Sequence, residues 1–193
     1  MLKILILGSS GTLGKQIYKE LKKINKIELF HTGLKKRKID FTNKTEFKKF
    51  IFSINPDLII NCIAYTNVDK CENYKSLSKK INFEIVKEIF KLKVKKKLKF
   101  NFIHFSTDQF YNQIGKKPSN ETSKIFLFNN YCKHKRMAEL ECIKINSDKV
   151  LKVKRSKNMY MSVKKFEKKF QFKLPNIQSE IRSEVKNYTI SRK

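Results

Sequence analysis

The sequence predicts an α/β fold with a doubly wound parallel sheet, and three observations predict it. Short apolar runs rich in Ile, Leu and Phe alternate with longer lysine-rich stretches whose apolar residues recur at helical spacing. A glycine-spaced turn, Gly8-Ser9-Ser10-Gly11-Thr12-Leu13-Gly14, joins the first apolar run to the first helical stretch. Strands joined through helices pair in parallel with right-handed crossovers, which is the arrangement this alternation implies.

The elements follow in order. Lys3 to Leu7 is a buried strand ending in glycine, and Leu13, Ile17, Leu21 and Ile24 form one apolar stripe on the helix behind it. Ile27 to Phe30 reads as a second strand. Beyond Gly33 and the basic run Lys35-Lys36-Arg37-Lys38, Asn43 and Glu46 form a capping pair that opens a helix through Ile54. Pro56-Asp57 stops it, and Leu58 to Ile63 is a third strand. A lysine-rich helix over Ser76 to Leu92 carries Leu77, Ile81, Ile85 and Ile89 inward. Phe100 to Phe105 is a fourth strand ending at Ser106-Thr107-Asp108. A loop with Gly115 and Pro118 leads to the helix of Tyr131 and Lys135, and Val150 to Val153 reads as a fifth strand.

Composition narrows the class. A chain of 193 residues is long enough for one domain with a buried core. Its formal charge of +28 invites a nucleic-acid reading, but lysine dominates and spreads from Lys3 to Lys193. The charge is therefore read as a lysine-coated, solvated surface. Cys62, Cys71, Cys132 and Cys142 show no paired spacing, which fits a reduced, cytoplasmic protein. No stretch approaches the roughly 20 apolar residues of a membrane helix, and the N-terminal apolar run is too short for a signal peptide.

Gly8, Gly11 and Gly14 follow a strand and open a helix, the context in which a glycine motif lets backbone N–H groups approach a pyrophosphate. The end of the second strand, Phe30-His31-Thr32-Gly33, has no carboxylate for ribose hydroxyls, and basic residues come next. NADPH is the favoured cofactor on that basis, with NADH as the alternative. Tyr131 and Lys135 stand at i and i+4, on one face of a helix. A tyrosine with an ordinary pKa of about 10 must be tuned to exchange protons near neutrality, and a neighbouring ammonium would lower it. Thr107 would orient the carbonyl being reduced. His104, on an apolar strand, reads as a satisfied core histidine.

These residues resemble the extended short-chain dehydrogenase/reductases, and within them the dTDP-4-dehydrorhamnose reductases. The resemblance is carried by the glycine loop, by Asn55-Pro56-Asp57-Leu58-Ile59-Ile60-Asn61, and by Ala64-Tyr65-Thr66-Asn67-Val68-Asp69-Lys70-Cys71-Glu72. Asn82, Ser106-Thr107-Asp108, Glu121-Thr122 and Asn129-Asn130-Tyr131 continue it. The resemblance implies a Rossmann-like domain over residues 1–154, followed over 155–193 by a remnant of the C-terminal substrate-domain helices. It implies that Gly8, Gly11, Thr12, Leu13 and Gly14 hold the pyrophosphate and that Asp40 and Phe41 flank the adenine. Ala64, Tyr65, Thr66 and Phe105 would line the nicotinamide side. Thr107, Tyr131 and Lys135 would be catalytic, with Thr107 and Asp108 touching the substrate.

By the same resemblance, the activity would be NADPH-dependent reduction of a dTDP-linked 4-keto-6-deoxy sugar in nucleotide-sugar and polysaccharide synthesis. His134 replaces a small hydroxyl residue before the lysine and is expected to perturb Lys135. Gln16 stands where some relatives have glutamate, so no metal site is carried over. Between Val153 and Lys157 the segment that builds most of the family's sugar pocket is missing, as in an internally shortened relative. The alternative reading is a cofactor-binding or regulatory subunit of weak catalytic power. Whether a homodimer or a partner subunit completes the pocket stays open at this stage.

Overall fold

Four parallel strands form one sheet in the computed structural model, which describes residues 1–33, 39–95, 98–111 and 124–146. The strands are β1 (Leu2–Leu7), β2 (Ile27–His31), β3 (Leu58–Asn61) and β4 (Asn101–His104), in spatial order β2-β1-β3-β4. Ile4 lies beside Leu29 on one side and Leu58 on the other, and Ile60 lies beside Ile103. The predicted α/β parallel sheet is thus present. The expected fifth strand, Glu121-Thr122, the basic run at 35–38 and the segment 155–193 lie outside the described residues.

Alternation along β1 explains why it is central. Leu5 and Leu7 point to one face, where Phe47, Ile51 and Ile54 of α2 (Lys44–Ile54) meet Ile85, Ile89 and Leu92 of α5 (Ile85–Lys95). Ile4 and Ile6 point to the other, against Ile17, Tyr18 and Leu21 of α1 (Thr12–Leu21). A strand covered on both faces reads as a near-continuous apolar run, as the buried stretch from Ile4 to Leu7 does. Truncating a fully buried side chain such as Ile51 to Ala should cost about 2–5 kcal/mol. Ile24 falls beyond α1 and, like Leu13, is exposed, so the predicted apolar stripe is shorter than its spacing suggested.

Local chemistry sets the boundaries. The Asn43 side chain accepts hydrogen bonds from Thr45 N and Glu46 N, each 3.2 Å long, and caps α2. Asn55 ends α2 in the left-handed region (φ 47°, ψ 64°), a conformation asparagine tolerates better than most residues. The helix therefore stops one residue ahead of Pro56. The single helix expected over Ser76 to Leu92 is instead α4 (Lys75–Lys79), a π-helical turn (Lys80–Glu84) and α5. A short helix not foreseen, α3 (Val68–Asn73), precedes them. The wider turn shifts the facing positions: Leu77 is exposed, while Asn82 and Phe83 are buried. The last described helix, α6 (Asn130–Asn146), packs Ala138 and Met137 against Phe83, Val86 and Phe90.

Candidate active site

The glycine loop is built by contacts that only glycine allows. Gly8 has φ +80°, and a Cβ there would stand 3.0 Å from Ile63 N. A Cβ on Gly14 would fall 2.3 Å from the carbonyl oxygen of Gly8, which no side chain could accommodate. Thr32 at the end of β2 ties the loop down. Its Oγ1 accepts from Gly8 N (3.1 Å), and its carbonyl accepts from Ser9 N (2.8 Å) and Ser9 Oγ (2.6 Å). Those donors are consumed, whereas α1 opens at Thr12 with no side-chain cap and no acidic residue in its first turn. A helix N-terminus left bare in this way attracts an anion. At Gly11 a Cβ would meet only Gly8 O, at 3.6 Å, so the space before the helix is open. The uncapped first turn at Thr12 and Leu13 therefore fits a dinucleotide pyrophosphate, with Gly8, Gly11 and Gly14 giving the loop its shape rather than free donors.

The flanking positions divide between exposed and engaged side chains. Asp40 Oδ1 accepts from Thr42 N (2.8 Å) and Thr42 Oγ1 (2.7 Å), and these bonds hold its carboxyl below the usual range. Phe41 packs edge-on against Phe47 at 5.7 Å, so its ring belongs partly to the core. Ala64 and Thr66 are exposed beyond β3, and between them Asn82 clamps Tyr65. Its Oδ1 accepts from Tyr65 N (2.8 Å) and its Nδ2 donates to Tyr65 O (3.1 Å). The π-helical turn is what brings Asn82 inward to do this.

Thr107 and Tyr131 come together. The Thr107 hydroxyl stands beside the Tyr131 phenol, where it favours the ionised form, and it accepts from Gln109 N (3.2 Å). Tyr131 is placed by a double cap on α6. Asn129 Oδ1 accepts from Cys132 N (2.8 Å), and the Glu72 carboxylate accepts from Asn130 N (2.5 Å) and Asn130 Nδ2 (2.6 Å). These bonds push Glu72 below the ordinary carboxylate range. Glu72 was visible in sequence as part of a motif, but its role needed the fold.

Two expectations about charge are corrected. Burial pushes the Tyr131 phenol above its ordinary value, Thr107 opposes this, and Asp108 adds to the rise. Lys135, expected to hold the tyrosine acidic, is buried and turned to β4, where its Nζ donates to the Phe105 carbonyl and lies 3.4 Å from His104 Nε2. Burial lowers its own pKa to about 8. Nor does His134 face Lys135. Its Nδ1 pairs with Ser78 Oγ at 2.8 Å, and Ser78 Oγ accepts from Asn82 Nδ2 (3.3 Å), which joins α6 to the Tyr65 clamp. His104 is satisfied, as its apolar strand suggested, and its Nδ1 lies 3.1 Å from Asn61 Nδ2. Phe105 is partly exposed, and Asp108 is exposed beside Thr107.

The glycine loop and the Thr107–Tyr131 pair both follow the C-terminal ends of parallel strands, where open α/β sheets bind their ligands. Known proteins agree with this geometry. The dTDP-4-dehydrorhamnose reductase of Salmonella typhimurium is 28% identical over 138 residues, 72% of this chain and 46% of that protein. The crystal structure of a dTDP-4-dehydrorhamnose reductase from Clostridium acetobutylicum superposes with a TM-score of 0.67 at 32% identity, covering 76% of this chain and 50% of that one. That of the Bacillus anthracis enzyme, solved in complex with NADP, gives 0.62 at 25% identity, covering 75% and 50%. The chain thus spans about half the length of the relatives it matches. The family model described as the RmlD substrate binding domain matches residues 2–150. A match of that extent, on a sheet and loop of this form, makes the chain a member of the dTDP-4-dehydrorhamnose reductase family.

Proposed function

We propose that the protein is an NADPH-dependent reductase of a dTDP-linked 4-keto-6-deoxy sugar. The observation that carries the reading is the Thr107 hydroxyl set beside the Tyr131 phenol, on the same edge of the sheet as a bare helix N-terminus. Gly11, Thr12 and Leu13 would hold the pyrophosphate, and Ala64, Tyr65, Thr66 and Phe105 would border the nicotinamide. The bound nicotinamide supplies the hydride. Thr107 then orients the ketone oxygen, and Tyr131 delivers a proton to it. At neutral pH the phenol holds its proton; burial makes it a weaker acid, yet it stays a stronger acid than the alcohol formed from the ketone, so the proton passes to the substrate oxygen. Lys135 supports the loop after β4 by holding the Phe105 carbonyl.

The test joins calorimetry with NADPH and NADH to a turnover assay on a dTDP-4-keto sugar. Tyr131→Phe should leave NADPH affinity unchanged and lower turnover by about 10²–10⁴-fold, the usual span of general acid catalysis. Unchanged turnover in that variant would remove the tyrosine from the mechanism. A second reading rests on one observation, that the chain spans about half of its relatives. In it the protein binds the cofactor but does not turn over alone, acting as a regulatory subunit or requiring a second copy or a partner to complete the sugar pocket. Binding without turnover favours this second reading.

A further inference from the structure

Lys135 ends in a setting that suits an amine better than an ammonium, and the reason lies one strand further in. Ile63 N donates to Asn61 Oδ1 at 3.1 Å, and a backbone donor fixes which end of the amide faces it. The Asn61 NH₂ is therefore turned to His104, 3.1 Å from Nδ1. An NH₂ group can only donate, so Nδ1 must accept and the proton of the neutral ring must sit on Nε2. That N–H is directed at Lys135 Nζ, 3.4 Å away.

We infer that His104 is a positioning residue for Lys135: Asn61 locks the imidazole as the Nε2–H tautomer, and His104 presents that N–H to the lysine as a donor. An ammonium would set two donors against each other there. An amine accepts the His104 proton with its lone pair and still donates to the Phe105 carbonyl. The surroundings agree. From α6 itself Glu139 and Cys142 favour the charged lysine, while burial of Lys135 opposes it and prevails. Burial of His104 holds the ring neutral, with a pKa of about 3, and Lys135 adds to this whenever it is charged. Phe102 stacks against the ring at 6.1 Å with an interplanar angle of 7°. The pair thus adds to burial in fixing the pH range in which Lys135 changes charge. That its charge matters to turnover rests on the reductase reading above.

Nitrogen NMR on histidine-labelled and lysine-labelled protein reads both partners without any turnover. Three histidines make the first spectrum tractable, and Lys135→Arg assigns the lysine signal. The wild type should show His104 neutral, with its proton on Nε2. In Asn61→Asp the carboxylate would draw the proton to Nδ1, leaving Nε2 to accept from the lysine, whose titration should move up by about one unit or more. His104→Phe keeps a ring against Phe102 and should move the same titration upward by removing the opposing N–H, should Asn61→Asp fail to fold. A wild-type His104 protonated on Nδ1, or a Lys135 titration unmoved in a folded variant, overturns the inference. In an active enzyme, the pH limb of turnover that follows Lys135 should shift with it. A wild type that binds cofactor without turnover would count against the reductase reading and leave the tautomer result standing.

Discussion

At the residue scale, the groups proposed to carry the chemistry were legible in sequence and their charge states were not. Thr107, Tyr131 and Lys135 could be singled out by residue type, order and spacing. Helical spacing, however, states only that Tyr131 and Lys135 share a face. It does not say that the lysine would reach the Phe105 carbonyl, or that burial would outweigh its charge at the phenol. The same limit applied to His134, whose partner Ser78 lies 56 residues away. Acid stability follows from His104. Its ordinary pKa of 6.5 falls to about 3 in the fold, so between those values the unfolded chain binds a proton that the folded chain refuses. Stability should therefore fall as pH drops through that window, by about 1.4 kcal/mol per unit from this group. Denaturant titrations at several pH values should show a shallower fall for His104→Phe than for the wild type. Parallel curves would mean that the ring is not held neutral by the fold.

At the element scale, strands and long helices were readable because period and capping agree. Asn43 before a helical stripe is a local signal, and it forms the expected cap. The breaks were not readable. The π-helical turn at Lys80–Glu84 gains its reason from Asn82 gripping the Tyr65 backbone, a contact across 17 residues that no window of periodicity contains. Nor did α3 carry a stripe long enough to recognise, at six residues. Its Glu72 nonetheless fixes the first turn of α6. Glu72→Ala should remove a charged acceptor from the Asn130 N–H and lower the midpoint of urea denaturation. The same substitution should lower turnover more than it weakens NADPH binding, since it loosens Tyr131 and leaves the glycine loop intact. An equal loss in both would place Glu72 in general stability alone.

At the scale of the whole molecule, the parallel sheet followed from alternation of strand and helix, whereas its order β2-β1-β3-β4 needed the fold, and the family followed from motifs in order along the chain. The large positive charge contributes to neither, yet it has a physical cost. Like charges spread over one surface repel, and salt screens that repulsion. The thermal midpoint should rise when sodium chloride is added to dilute buffer. A flat response would mean that local arrangements such as Lys44, Lys48 and Lys91 around Glu88 already offset it. The double cap on α6 has a further consequence, for the order in which the site comes together. Thr32 reaches Gly8 across 24 residues, whereas Glu72 reaches Asn130 across 58. Closing the longer stretch of chain costs more entropy and is slower. The glycine loop can thus assemble early in folding, and the tyrosine settles into place only after α3 and α6 have met.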